Sequence, residues 1–333
     1  TPKGRSPLEA MSLGLTMEPD DTAIRCNVVT LSEGDVPFGE RVILDHSAGE
    51  ISTEEADELV KALNDALPLE GRHLYTGVSY RHCMIWRGAD PTYNFARPHD
   101  HLGEKIGAYL PKAADGGAAF LEFMEKGFAV LDHHPVNERR RAQGKNPANA
   151  PWLWSPGRKP ALPSFKDKWH LDASIVCAVD LIKGIGICAG CEVIPVPGAT
   201  GNYYTNYLGK GEAAIDAFRR GRDLVYVHVE APDECGHQGN PLEKTSAIEK
   251  IDAEILSPVY QYLLDSGEDF RILCLPDHPT PCEKRTHTSD PVPYFLYDSR
   301  TEKAGCAFTE ANCAAMGDYN PAGHTLLSEM IEK

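Results

Sequence analysis

Three short segments carry the residue types best suited to chemistry. The run Asp223–Glu230 leads into Ala-Pro-Asp-Glu-Cys-Gly-His, which supplies Asp233 and His237. Leu275-Pro-Asp-His-Pro supplies Asp277 and His278, and Thr286-His-Thr-Ser-Asp supplies His287. Carboxylate oxygen beside imidazole nitrogen is a donor set for zinc or manganese, whereas calcium takes oxygen alone. Each piece is ordinary by itself: an Asp-x-x-x-His is usually a loop hydrogen bond and an Asp-His pair usually a turn. Their shared position beside strand ends points to a metal site. One ion can take Asp233, His237 and His287, which leaves only Asp277 and His278 for a second. An ion wants about four donors, so the set reads as incomplete.

Groups that could hold an anion lie earlier in the chain. Guanidinium forks match phosphate and carboxylate oxygens two at a time. Candidates are Arg87 at a strand end, His99 and Asp100 in a loop, Arg140 and Arg141 in an arginine run, Arg158 and Lys159, and Lys168. The plain alternative for the arginine run is a solvated helix end. Cys188 and Cys191 have CxxC spacing without a second pair and read as small apolar residues; Cys235 and Cys282 read as neighbours of the proposed ligands. Gly198-Ala-Thr-Gly201 lacks a full phosphate-loop pattern and reads as a turn with packing constraints.

Composition narrows the partners. The 333 residues include 33 basic and 49 acidic ones, a net charge of −16, and are 42% hydrophobic. That balance excludes a nucleic-acid footprint and an anionic membrane surface. An anionic substrate therefore needs local positive charge from ions or converging arginines. The longest apolar region, 173–191, is broken by Asp180 and Lys183 and cannot span a bilayer. With no signal peptide and ten scattered cysteines, the chain reads as a cytoplasmic protein with reduced thiols.

The elements that must position these residues fall into two styles. Alternation predicts strands at 23–31, 41–45 and 80–87 and helices after a Ser52–Glu55 capping box and over 114–131. Residues 144–164, rich in Pro, Gly and Asn, read as an irregular connection. Beyond it, strands at 174–179, 192–196, 223–230, 270–275 and 292–297 alternate with helices at 181–188, 212–219 and from about 243. This predicts a mostly parallel sheet with helices on both faces, binding ligands beyond its carboxyl ends.

In combination the motifs resemble a known family. Val229-Glu-Ala-Pro-Asp-Glu-Cys-Gly-His, Leu275-Pro-Asp-His-Pro-Thr-Pro and Arg285-Thr-His-Thr-Ser-Asp-Pro-Val-Pro are similar to archaeal-type cofactor-independent phosphoglycerate mutases of the alkaline phosphatase superfamily. So are Gly157-Arg-Lys-Pro-Ala-Leu-Pro-Ser-Phe, Val179-Asp-Leu-Ile-Lys-Gly-Ile-Gly, His134-Pro-Val-Asn-Glu-Arg-Arg and Gly4-Arg-Ser-Pro-Leu-Glu-Ala, so the resemblance spans essentially the whole chain.

The resemblance implies an α/β fold: an alkaline-phosphatase-like doubly wound sheet domain (1–20 and 151–333) interrupted by a smaller inserted α/β domain (21–150). It implies that Asp233, His237 and His287 hold one ion and that Asp277 and His278 share in the second. The ions are expected to be manganese or zinc, with magnesium and cobalt also compatible, and no 2,3-bisphosphoglycerate is used. An aspartate ligand and the serine nucleophile are expected upstream of Thr1. The implied reaction interconverts 3- and 2-phosphoglycerate through a phosphoserine. A homoserine-type phosphotransferase, a metal-dependent phosphohydrolase and an inactive fragment stay open.

Overall fold

The computed structural model describes residues 5–301 and 305–332. Gly4, where one of the family-like motifs begins, lies outside the described residues. The chain divides into two compact units, residues 1–162 and 163–333.

In the first unit, alternation of apolar and polar residues builds a five-stranded antiparallel sheet. Its strands are β1 (Asp21–Leu31), β2 (Ile43–Asp45), β3 (Arg72–Val78), β4 (Arg81–Arg87) and β5 (Ala150–Arg158), with β2, β4 and β5 each pairing with β1 and β3 pairing with β4. β1 is buried along its length except at Arg25. Helix α1 (Ser6–Ser12) lies on β1 and β5, α2 (Thr53–Ala66) packs on β3, and α3 (Ala118–Leu131) packs on β5. The core joins Leu59 and Leu63 of α2, Phe120 and Phe123 of α3, and Met84, Trp86 and Trp152 of the sheet. Helix α4 (Pro135–Ala142) carries the arginine run in its last turn, where cations suit the helix dipole.

One expectation is corrected here. The stretch 144–164 is not irregular throughout: β5 occupies its middle, Ala150–Arg158, and hydrogen-bonds to β1. Pro151 and Pro156 are tolerated because β5 pairs with β1 alone, so a missing N–H on its free side breaks no ladder. A bulge near Ser155, whose φ is 51°, absorbs the extra residue opposite Ala23 and Arg25. β5 begins at Ala150, and residues 1–20 and 151–162 group with the first unit.

The capping box is half formed. Ser52 Oγ accepts from the Glu55 N–H at 3.2 Å, while the Glu55 carboxylate pairs with Arg140 at 2.5 Å. Ser52→Ala is therefore expected to cost the first unit about 1 kcal/mol, read from the urea midpoint of its unfolding; an unchanged midpoint contradicts the cap.

The second unit alternates strand and helix: α5 (Phe165–Trp169), β6 (Ala173–Val176), α6 (Asp180–Cys188), β7 (Glu192–Ile194), α7 (Tyr207–Arg219), β8 (Leu224–Val227), α8 (Ala231–Gln238), α9 (Pro241–Lys250), α10 (Ser257–Ser266), β9 (Arg271–Cys274), β10 (Phe295–Asp298), α11 (Glu310–Met316) and α12 (Leu326–Glu332). A wide helical turn over Ile251–Leu256 links α9 to α10. The order β7-β6-β8 is parallel, as alternation predicts. β9 and β10 form a separate antiparallel pair. No helix lies between them, and a parallel partner requires a crossover of that kind.

Candidate metal centre

α8 begins just past β8, with Pro232 in its first turn, where a fixed φ and a missing N–H fit a helix start. Asp233 and His237 sit one turn apart, so they share a face. The Asp-x-x-x-His segment, placed by the sequence just past a strand end, is thus a helix that presents both side chains together. His237 Nε2 lies 3.4 Å from Asp233 Oδ2. His287, from the loop between β9 and β10, brings its Nε2 to 3.3 Å from Asp233 Oδ1 and 3.0 Å from His237 Nε2. The three donor atoms lie within 4.8 Å of one another.

The surroundings fix how these donors point. His237 Nδ1 is 3.0 Å from the Arg285 carbonyl, an oxygen that only accepts. Nδ1 therefore carries the ring proton and Nε2 turns a lone pair toward Asp233 and His287. A carboxylate and imidazole nitrogens facing one another at this range repel unless a cation or a proton lies among them. The donor chemistry fits a divalent ion. Thr280, 3% exposed, donates its hydroxyl to Asp233 Oδ1 and lies 3.4 Å from His278 Nδ1. Its carbonyl accepts from Lys244 Nζ at 2.7 Å. Close approach of α8 to Thr280 requires Gly236, since a Cβ there would strike the Thr280 carbonyl.

Asp277 and His278 adjoin this cluster without joining it. Asp277 Oδ2 is 3.1 Å from His278 Nε2, and the His278 ring stacks on His287 with centroids 3.7 Å apart. In the connection between β8 and α8, burial lowers the pKa of His228, an effect partly offset by the charge of Asp277. Burial raises the pKa of Glu230, and the charge of Asp233 adds to the rise.

The anion candidates separate by structure. Arg140 is 3% exposed and spends its guanidinium on Asn146 O, Ala48 O and Glu55. Arg141 is taken by Glu33, Asp132 and Glu138. These two brace α4 through the partners named, which engage the donors of both guanidiniums. Arg87 and Arg158 are exposed at one end of the sheet, opposite Asp21 and Thr22 of β1, with exposed Lys159 next along the chain. His99 packs edge-on against Trp154 at 5.5 Å, and Asp100 lies 3.5 Å from it. Lys168 belongs to the second unit and covers the Trp169 ring at 4.5 Å. Sequence reasoning missed Thr280 and Arg285, which act through a hydroxyl and a backbone carbonyl that any loop could offer. Cys188 and Cys191 are half-buried.

The sequence profile described as "2,3-bisphosphoglycerate-independent phosphoglycerate mutase" matches residues 1–137. A relative of that name from Methanosarcina mazei is 46% identical over 301 residues, covering 90% of this chain and 73% of the relative. The chain belongs to this family. A probable family member from Geobacter sulfurreducens is 43% identical over 332 residues, covering 99% of this chain and 82% of its own. A solved protein from Pyrococcus horikoshii, 28% identical, superposes with a TM-score of 0.65 over 90% of this chain and 69% of its own. The cofactor-independent phosphoglycerate mutase of Thermoplasma acidophilum superposes with a TM-score of 0.67 over 99% of this chain and 81% of its own; at 24% identity it speaks for the fold alone. The α/β architecture is the alkaline-phosphatase-like fold of the Thermoplasma mutase.

Proposed function

We propose that the protein is an isomerase that interconverts 3-phosphoglycerate and 2-phosphoglycerate without 2,3-bisphosphoglycerate, by a two-ion phosphoserine mechanism. Membership of the family carries this reading. The convergence of Asp233, His237 and His287 supports its metal chemistry.

In this reading those three residues hold one divalent ion, and Asp277 and His278 contribute to a second. Such ions offset negative charge developing on a transferring phosphoryl group. The chain's own part is to orient the donors. The Arg285 carbonyl keeps the His237 proton on Nδ1, and Thr280 steadies one carboxylate oxygen of Asp233 while the other stays open. Mixed oxygen and nitrogen donors favour manganese or zinc and accommodate magnesium and cobalt. Arg87, Arg158, Lys159, His99 and Asp100 are the substrate-facing candidates of the first unit, and Lys168 that of the second. The reaction belongs to the glycolytic and gluconeogenic exchange of phosphoglycerates. We place it in the cytoplasm, in keeping with its ten scattered cysteines.

The test is conversion of 3-phosphoglycerate by the complete gene product with manganese and no 2,3-bisphosphoglycerate. The expected result is 2-phosphoglycerate formation that stops on chelation and returns with the ion. Free phosphate appearing faster than 2-phosphoglycerate would identify a phosphohydrolase instead, and phosphorylation of homoserine a kinase.

A further inference from the structure

β6 and β8 run parallel, so their carboxyl ends share one rim, and the first turn of α7 brings Lys210 to it. Lys210 is 1% exposed, a rare state for lysine. Its ammonium donates to the His228 carbonyl at 2.8 Å. The His228 N–H donates to Val176 O of β6, also at 2.8 Å. His228 is thereby gripped from both sides of its backbone. Only Val229 and Glu230 separate it from α8, whose first turn contains Asp233.

The turn before α7 rests on the same junction. A Cβ at Gly201 would run into the Glu230 carboxylate, so the 198–201 turn lies directly against it. Asn206 ties that turn to α7: its side chain donates to Pro197 O and accepts from the Gly209 N–H, each at 2.9 Å. Turn, helix start and Lys210 therefore form one piece. Burial lowers the Lys210 pKa, and the Cys177 and Glu230 side chains raise it again.

We propose that Lys210 is a positioning residue for the divalent-ion site, fixing through the His228 carbonyl where α8 starts and hence where Asp233 and His237 meet His287. The inference rests on the reading of that cluster given above. It has a sign that separates it from plain electrostatics. A buried cation beside Glu230, near where the ion would sit, repels an incoming ion, so by charge alone Lys210→Met would tighten binding. Positioning demands the opposite.

The experiment titrates Mn(II) into the chain and into Lys210→Met, following free ion by electron paramagnetic resonance and folding by circular dichroism. With helical signal and melting cooperativity retained, Lys210→Met is expected to bind at least about tenfold more weakly, as for loss of a group that orients metal ligands. Equal or tighter binding overturns the proposal. Should that variant not fold, Gly201→Ala carries the test, because it displaces Glu230 at a position with no left-handed backbone demand. Several-fold weaker binding is expected from it, and unchanged affinity overturns the proposal. If the unaltered chain itself takes up no Mn(II), the cluster reading fails and the inference falls with it. If the unaltered chain binds and Lys210→Met matches it, only the inference fails.

Discussion

The Asp233→Asn chain is expected to lose Mn(II) binding at the three-donor site by at least about 100-fold, the upper end of what groups merely orienting a ligand contribute. The substitution keeps shape and retains an oxygen for the Thr280 hydroxyl, so the fold has little reason to change. What it removes is the anionic donor lying 3.4 Å from His237 Nε2 and 3.3 Å from His287 Nε2. Two neutral imidazoles alone neither neutralise a divalent ion nor complete its coordination. Asp277→Asn provides the contrast: Asp277 pairs with His278 and stands outside the cluster, so the first ion should bind much as before. Titrations that find both variants equally weak would mean that the donors form one shared site, not the separate first site described here. Full affinity in Asp233→Asn would remove Asp233 from the ligand set.

How much of this was legible in the sequence depended on the scale of the interaction involved. Periodicity marked α2, β1, β4 and the parallel core because burial repeats along each element. β5 escaped, since two prolines and two tryptophans look like a connection until an edge position makes the prolines harmless. The cluster was visible because Asp233, His237 and His287 each lie near a strand end. That Asp233 and His237 share a helix face was not visible, because Asp-x-x-x-His serves loops as readily as helices. The arginines of α4 show the converse. Their residue type advertised anion binding, but Glu55, Glu33 and Asp132 reach them from distant parts of the chain, and such long-range pairing leaves no local trace.

Acid should destabilise the first unit through one buried histidine. His82 of β4 is 4% exposed, and burial pushes its pKa from 6.5 down to about 4, with the charge of Asp57 only partly offsetting this. Its Nδ1 accepts from the Gly77 N–H at 3.2 Å, a bond that protonation would break. Because the folded pKa is the lower one, the unfolded chain binds more protons between about 4 and 6.5, and stability rises with pH across that window. The contribution is complete above 6.5 and gone below about 4, and at 1.36 kcal/mol per unit it amounts to about 3 kcal/mol. Asp45, whose pKa is lowered by hydrogen bonds from Ser47, Asn146 and Gly49, loses its own contribution only as pH falls below the ordinary carboxylate value. Its effect therefore lies under the His82 window. Trp86, Trp152 and Trp154 all belong to the first unit, so tryptophan emission during urea unfolding follows it, with Trp169 as the one contribution from the second. His82→Gln keeps an acceptor for Gly77 and cannot titrate. It should flatten the slope between pH 4.5 and 6.5 that the unaltered chain shows. Parallel slopes in the two chains would assign the acid sensitivity to other groups.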